Sequence, residues 1–471
     1  MTERRLDLAA AEDTAGRKGV IIERLTREGT RKIFVHKRWI TVVCRKRRAI
    51  MRRSLAIGLL ALMTLAAWAG MTPAVAQEKA FYIAMPMDFT KIYTFLSKVW
   101  EQAERDYFAL VNQRGGVKGY RMELLITDHA NEPQRAIEAY EQMKKQGAMI
   151  INAHSTPAAL AILPRCTKDK VILYTPLHGR GDAVIGEVFP WVFPMAASYW
   201  SKAAAIVDYI YKQEKGNLKD KKVAYVFIDT PFGHEVQPVL KRLSERLGFK
   251  LELFGYPPPG NEQASVWTQI RRFGPDWVIL WSAGIGQSVS VKEALRNGIP
   301  VNKITSCDWM NEPDIQLIGA EQARGVIRVE GVAPGRDFPV IQDILKEIYG
   351  QGKGHGDEKV VGTTLYNVAV ALSVVIPEAL KMAVERFGEP IDSEKLRKAM
   401  ESFQNFDCWG LTAPMTTSPS DHEGGGGCRL SQWDGQKFVP VTNWFVTSFR
   451  EVVLEVAKES AAKYQSTLKS E

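Results

Sequence analysis

Short apolar runs alternate with amphipathic segments from Phe81 onward, and this alternation predicts the elements of the first half of the fold. A short apolar run indicates a buried strand, whereas apolar residues that recur every three or four positions indicate a helix. The predicted strands span 81–86, 122–128, 148–153 and 171–176, and the predicted helices span 93–113, 133–147 and 156–169. Such alternation predicts a parallel sheet with helices on both faces.

The same rhythm restarts at residue 199 and predicts a second α/β half. Its expected helices span 199–213 and 233–247, and its expected strands span 222–230, 276–283, 303–309 and 325–332. Further helices are expected at 337–349, 362–386 and 393–404, followed by a hairpin at 428–441 that turns at Asp434 and Gly435. We expect an N-terminal lobe at 77–198, a C-terminal lobe at 199–332, a return segment at 333–445 that adds to both lobes, and a charged helix or tail at 446–471.

The stretch 51–76 has the three parts of a secretory signal. Arg52 and Arg53 supply the positive end, residues 55–68 form an uncharged apolar run, and Ala-Val-Ala at 74–76 is a small-residue cleavage site. An uncleaved anchor helix is the alternative, although the run is shorter than the roughly 20 residues that a membrane span needs. We therefore expect export, with cleavage near Ala76.

Residues 1–50 are polar and basic and have no hydrophobic period that would form a core. We therefore interpret them as an N-terminal extension that is doubtful as part of the protein, with Met51 as a candidate translation start. The chain carries a net charge of +9. The first 76 residues hold 16 Lys and Arg against 6 Asp and Glu, which leaves 46 basic and 47 acidic residues in the remainder. The basicity belongs to the leader, so nucleic acid is not an expected partner.

The remainder, from Gln77, is 395 residues long and suits two domains. Its four cysteines include Cys408 and Cys428, which flank a turn-rich stretch. An exported protein folds where disulfides form, so this pair is a candidate disulfide. Two free buried thiols are an equally good interpretation, because sequence does not give the distance between them.

Polar and aromatic residues follow several predicted strands, where open parallel sheets bind ligands. Ser155 and Thr156 begin a helix after the third strand, and their hydroxyls and free amides suit a carboxylate. Plain helix capping is the commoner role of such residues. The candidates that follow the later strands are Leu177, His178, Phe232, Trp281, Asp308 and Trp309. Together they indicate an apolar cleft with few polar anchors.

Catalytic motifs are missing from the sequence. There is no HExxH, GxSxG, P-loop lysine or CxxC, and the GxG at 284–286 is only a weak nucleotide signal. The histidines are scattered through different loops without the spacing of metal ligands. We expect no enzymatic activity, no cofactor and no metal.

Several stretches resemble the periplasmic binding proteins of the branched-chain amino acid type that serve ABC importers. They are the signal, "RGGVKGYRMELLITDHANEPQRAIEAYEQM" at 114–143, "HSTPAA" after a strand, and "FIDTPFGHEV" at 227–236. The resemblance covers almost all of residues 80–441. It implies the type I periplasmic binding fold, with two Rossmann-like lobes joined by three crossings that close on a ligand without chemistry.

The resemblance also implies roles for site residues. Ser155 and Thr156 would hold a ligand carboxylate, and Asp308 would hold its ammonium group. The other implied lining residues are Tyr93, Thr175, Leu177, His178, Phe232, Trp281 and Tyr366. The loop "LHGRGD" is bulkier and more basic than the small loop expected, and Trp281 and Trp309 add aromatic surface. These departures disfavour leucine-like ligands and favour an aromatic or other bulky organic acid, or an amide.

We therefore expect a monomeric periplasmic receptor that captures a small amphiphilic ligand and delivers it to an ABC transporter permease. A periplasmic sensor of the same shape that reports to a receptor is the main alternative. An α/β enzyme is a third, but it would need a nucleophile with an adjacent base, and none is evident.

Overall fold

The computed structural model describes residues 79–470, so the expected extension at 1–50 and signal at 51–76 lie outside the described residues. The first lobe is built on a sheet of five parallel strands in the order β2-β1-β3-β4-β5. Its elements are β1 (Lys79–Met87), α1 (Thr94–Gln113), β2 (Tyr120–Asp128), α2 (Pro133–Lys145), β3 (Ile150–Ile151), α3 (Thr156–Asp169), β4 (Ile172–Tyr174), a 3-10 turn (Gly181–Val184) and β5 (Val192–Phe193).

The second lobe is built on a seven-stranded sheet in the order β12-β11-β10-β9-β8-β6-β7, where β11 (Arg429–Trp433) and β12 (Phe438–Pro440) come from the last part of the chain. Its first elements are α4 (Tyr199–Gln213), β6 (Lys222–Ile228), α5 (Pro231–His234), α6 (Gln237–Leu247), β7 (Lys250–Tyr256), α7 (Ala264–Phe273), β8 (Trp277–Trp281), α8 (Ile285–Arg296), β9 (Ile304–Ser306), α9 (Glu312–Ile318) and β10 (Ile327–Glu330). These strands are parallel, and their buried apolar side chains form the core between the helical layers.

The last part of the chain contributes to both lobes. Its elements are α10 (Pro339–Asp343), a π-helical turn (Ile344–Ile348), α11 (Thr364–Phe387), α12 (Ser393–Met400), β11 (Arg429–Trp433), β12 (Phe438–Pro440) and α13 (Arg450–Ser470). Helix α11 packs on α1 of the first lobe, whereas β11 pairs antiparallel with β10 of the second. The chain thus passes between the lobes three times, and the expected architecture of two parallel-sheet lobes joined by three crossings is confirmed.

Helix α11 is long and apolar enough to cross a membrane by length and composition alone. Protein buries 78% of its most apolar window, however, and the helix packs against α1 and α12. A helix that is apolar on every side fits the centre of a large core, and this one is the core helix of the first lobe.

Several predicted boundaries differ from the structure for local reasons. The helix expected at 233–247 is divided into α5 and α6, because Pro238 lies in the first turn of α6, where its missing N–H is tolerated. The π-helical turn Ile344–Ile348 interrupts the helix expected at 337–349. The weak nucleotide signal at 284–286 is the start of α8, which the sequence did not predict.

The candidate disulfide is absent from the structure. Cys408 and Cys428 are both free and buried, so the alternative of two buried thiols holds. Cys408 lies in a turn with a positive φ of 49°, whereas the backbone of Cys428 is paired with Phe445. The two cysteines thus belong to different local structures.

A buried carboxylate joins the first crossing, between β5 and α4, to the third crossing, between α12 and β11. Glu423, on the third crossing, accepts a hydrogen bond at 2.6 Å from the backbone N–H of Ser198 on the first crossing. The same carboxylate pairs with Arg450 at the start of α13, which also donates to Ser201 at 2.7 Å. Glu423 is fully buried, so its charge depends on these partners.

We expect Glu423→Ala to lower the free energy of unfolding by about 3–5 kcal/mol, because buried Arg450 would lose its nearer anionic partner and keep only Asp421, 3.5 Å away. Denaturant unfolding followed by tryptophan fluorescence measures the change. The matched control is Glu321→Ala, which removes the exposed pair with Arg324 and should leave stability nearly unchanged. Equal effects of the two substitutions would contradict a structural role for the buried pair.

Candidate functional site

A cavity lies between the lobes at the carboxyl ends of the strands. The first lobe supplies the loop after β1, the start of α1, and the loops after β3 and β4, and the second supplies α4 and the loops after β8 and β9. Its lining residues are Tyr93, Phe95, Leu96, Trp100, His154, Ser155, Thr156, His178, Tyr199, Ala283 and Trp309. These side chains enclose a cavity of about 20 Å³. The described conformation therefore has room for about one water.

The start of α3 places two hydroxyl residues at the cavity. Ser155 caps the helix by accepting a hydrogen bond from the backbone N–H of Ala158 at 3.3 Å, and it donates to Asn131 Oδ1 at 2.6 Å. Thr156 is the first helical residue and is also buried in the lining. Ser155 therefore has the capping role, and both residues lie in the cavity lining, while their expected role in holding a carboxylate stays a prediction.

Two buried histidines lie in the cavity wall. His154 has a positive φ of 46° and packs edge-on against Trp100 with 4.7 Å between ring centroids. His178 Nε2 is hydrogen-bonded to Asn152 Oδ1 at 2.9 Å. Neither ring nitrogen of His154 has a hydrogen-bond partner, and neither does His178 Nδ1 or Trp100 Nε1. Buried polar atoms without partners are uncommon in native proteins and indicate a place where a ligand or water completes them.

Burial keeps these imidazoles neutral. It lowers the pKa of His154 to about 3, and it lowers the pKa of His178 well below its ordinary value, with smaller contributions from His154 and Lys202. His154 Nε2 also lies 3.2 Å from Glu104 Oε1, in a geometry that does not form a hydrogen bond. Burial raises the pKa of Glu104 well above its usual range, which favours the protonated form of this carboxyl.

The expected ammonium-binding acid already has an internal cationic partner. Asp308 Oδ2 lies 2.6 Å from the Nζ of Lys202, and Lys202 also donates to the backbone oxygen of Leu177 at 2.9 Å. Lys202 Nζ is 4.8 Å from the ring centroid of Tyr199 and 5.8 Å from that of Trp309. The ion pair thus lies behind the aromatic wall of the cavity, and neither partner is among the lining residues.

The other predicted residues divide into lining and supporting positions. Those in the lining are Tyr93, Ser155, Thr156, His178 and Trp309, and those outside it are Thr175, Leu177, Phe232, Trp281, Asp308 and Tyr366. Phe232 and Trp281 support Tyr199, with ring centroids 5.3 and 5.4 Å from its own. Tyr366 donates to Asp106 at 2.8 Å, away from the cavity.

The lining residues that were not predicted from the sequence are Phe95, Leu96, Trp100, His154, Tyr199 and Ala283. His154 directly precedes the predicted pair Ser155 and Thr156, so its position at a strand end was an available signal. Trp100 lies in the second turn of α1, and Tyr199 is the first residue of α4. Only the tertiary structure brings these two side chains to the cavity. Within residues 79–470, no three His, Cys, Asp or Glu side chains are grouped to hold a metal ion.

Proteins that are similar in sequence or structure are named as binding proteins or as parts of ABC transporters. The sequence model of one family, described as periplasmic binding protein, matches residues 58–437. A Leu/Ile/Val-binding protein homolog of Brucella melitensis is 20% identical over 70% of this chain and 85% of its own length. A solved structure from the Pseudomonas fluorescens group, named as an ABC transporter permease, is 30% identical with a TM-score of 0.76, and covers 83% of this chain and 98% of its own.

Two further structures share the fold at lower identity. A branched-chain amino acid ABC transporter structure from Thermus thermophilus, with bound valine, is 20% identical with a TM-score of 0.69 over 80% of this chain and 99% of its own. A fatty acid ABC transporter substrate-binding protein from Thermomonospora curvata is 20% identical with a TM-score of 0.67 over 81% and 95%. Since the family match extends over most of the sequence, the chain belongs to the periplasmic binding protein family.

Proposed function

We propose that the chain is the solute-binding protein of an ABC importer, which holds a small amphiphilic organic ligand between its lobes and delivers it to a membrane permease. The observation that carries this proposal is the cavity itself. Side chains of both lobes line it, and it contains buried nitrogens without partners beside aromatic rings. A closed cleft of this kind suits reversible capture of a molecule that is part apolar and part polar.

The tightness of the cavity supports a capture mechanism that depends on lobe movement. With room for about one water, the described conformation admits an organic molecule only if the lobes separate or lining side chains move. A ligand bound to one lobe gains the contacts of the other on closure, and its preference for the closed state shifts the equilibrium toward that state. A permease that recognises closed lobes would then receive loaded protein.

The proposal also covers what accompanies capture. The protein releases its ligand unaltered, acts as a monomer, and works in the periplasm after cleavage near Ala76. Support comes from the family and from the named relatives, which bind amino acids or fatty acids. Turnover of a bound compound by the purified protein would instead support an enzyme, and capture of a receptor rather than a permease would support the sensor.

We expect a ligand to make the protein more compact. A thermal-shift screen of amino acids, aromatic acids, amides and short organic acids identifies binders, because a ligand of the native state raises the melting temperature by mass action. Small-angle X-ray scattering with a saturating binder should then give a smaller radius of gyration than the ligand-free protein. Identical scattering profiles would contradict closure around the ligand.

We expect Trp309→Ala to weaken ligand binding by about 10- to 100-fold, because a buried aromatic side chain contributes roughly 1.5–3 kcal/mol of apolar contact. Trp309 is 5% exposed and lines the cavity. Isothermal titration calorimetry measures the change in Kd. The matched control is Trp409→Ala, which removes a tryptophan that is 49% exposed and lies outside the cavity lining. Comparable affinities of the two variants would place the ligand elsewhere.

A further inference from the structure

We propose that the cavity selects aromatic compounds with an uncharged headgroup that both donates and accepts hydrogen bonds, as a carboxamide does, in preference to α-amino acids. This inference rests on the proposed function and specifies the ligand class of the same site. Three observations support it: the charge of the cavity wall, the donors and acceptors left without partners, and the rings that surround them.

The described residues that line the cavity include no Asp, Glu, Lys or Arg. Two charged groups lie behind this wall, and Lys202 and Asp308 pair with each other. The buried carboxylate of Asp88 accepts hydrogen bonds from three backbone N–H groups in the loop after β1, one of them that of Tyr93. Asp308 Oδ1 has no hydrogen-bond partner, but Asp308 is not in the lining. A ligand ammonium would therefore enter a dry site beside an ion pair that is already neutral, and a buried charge without an opposite charge is costly.

A carboxylate meets a similar difficulty at His178. Asn152 Oδ1 accepts the backbone N–H of His154 at 3.0 Å, which identifies this atom of the amide as the oxygen. The same oxygen is 2.9 Å from His178 Nε2, so Nε2 carries the proton of the neutral ring. His178 Nδ1 is then an acceptor without a partner. Its lone pair repels a carboxylate oxygen and attracts an N–H or O–H group.

A donor without a partner lies in the same wall. Trp100 Nε1 can only donate a hydrogen bond, and it has no acceptor in the structure. His154 is uncharged and offers one donor and one acceptor nitrogen, and neither has a partner. A carboxamide can satisfy this set, because its N–H group donates to Nδ1 of His178 and its oxygen accepts from an N–H donor such as Trp100 Nε1.

Aromatic rings surround the polar atoms. Tyr93, Phe95, Tyr199 and Trp309 line the cavity, and the rings of Trp100 and Trp309 lie 5.8 Å apart. Flat apolar surfaces of this kind favour an aromatic ligand body, since ring pairs prefer offset or tilted contacts at such separations.

Three compounds with one skeleton test the headgroup: 3-phenylpropanamide, 3-phenylpropanoate and L-phenylalanine. We expect the amide to bind with a Kd that is constant between about pH 6 and pH 8, and at least ten times tighter than L-phenylalanine. In this range the dissolved 3-phenylpropanoate is ionised, and the lowered pKa values of His154 and His178 favour neutral rings. The carboxylate should therefore bind only with net uptake of one proton, which neutralises its charge or protonates an imidazole. Its Kd should therefore rise about tenfold for each unit of pH.

Calorimetry in buffers with different ionisation enthalpies measures both the affinity and the proton uptake. Binding of L-phenylalanine as tight as that of the amide, or pH-independent binding of the carboxylate, would overturn the inference. Failure of the amide to bind at millimolar concentration would overturn it as well. The solute-binding proposal is tested separately, because binding of any other compound in the broad thermal-shift screen supports it even if the amide does not bind.

Asn152→Asp provides a second test. Asn152 Nδ2 has no hydrogen-bond partner, so aspartate keeps both bonds that the amide oxygen accepts. The new carboxylate would favour the protonated form of His178 and turn Nδ1 into a donor. We expect the ratio of carboxylate to amide affinity at neutral pH to rise at least tenfold, whereas the control Asn217→Asp at an exposed turn leaves it unchanged. An unchanged ratio in a folded Asn152→Asp protein would contradict the role of His178.

Discussion

The buried ammonium of Lys202 is the interaction on which the rest of the site depends. It is fully buried on α4, and it reaches both the carboxylate of Asp308 in the second lobe and the backbone oxygen of Leu177 in the first. One side chain therefore joins the two lobes and also cancels the acidic charge behind the cavity wall. A buried ion pair often adds little net stability, because desolvation offsets most of the attraction. Its main effects here are to cancel the electrostatic field of Asp308 behind the cavity and to connect the two lobes.

Hydrogen bonding at Asn152 extends this control of charge to the first lobe. Its amide oxygen receives the backbone N–H of His154 and Nε2 of His178, which holds both histidines in place and determines which nitrogen of His178 is left without a partner. Burial keeps the two rings neutral. The cavity thus receives an aromatic wall from both lobes, but its orphan hydrogen-bonding atoms come mainly from the first.

Sequence patterns predicted the architecture well because each helix and strand carries its own periodicity. The helix at 156–169 was predicted with the bounds that the structure has, since Ser155 caps it and Pro157 suits its first turn. The strand at 148–153 was predicted too long, because β3 pairs with its neighbours only over Ile150–Ile151. Helices α7 to α9 were missed.

The site was harder to predict than the fold, because its properties depend on pairs of residues far apart in sequence. Asp308 was identified at a strand end, but its partner Lys202 is 106 positions away and lies on a helix that looked purely structural. Similarly, the orphan nitrogen of His178 follows from a hydrogen bond to Asn152 that no local motif indicates. Residues at strand ends could be identified from sequence. Their charge state, and which of their polar atoms lack a hydrogen-bond partner, could not.

The C-terminal helix α13 has a consequence for how the lobes can move. Ser460 donates to Asp182 and Tyr464 stacks on Phe189, both between β4 and β5, while Glu455 and Glu459 pair with Arg242 on α6. Helix α13 thus contacts both lobes, and none of the residues in these contacts lines the cavity. Sliding or wide separation of the lobes would break these contacts, so the lobe opening that we propose would be a rotation with its axis near α13.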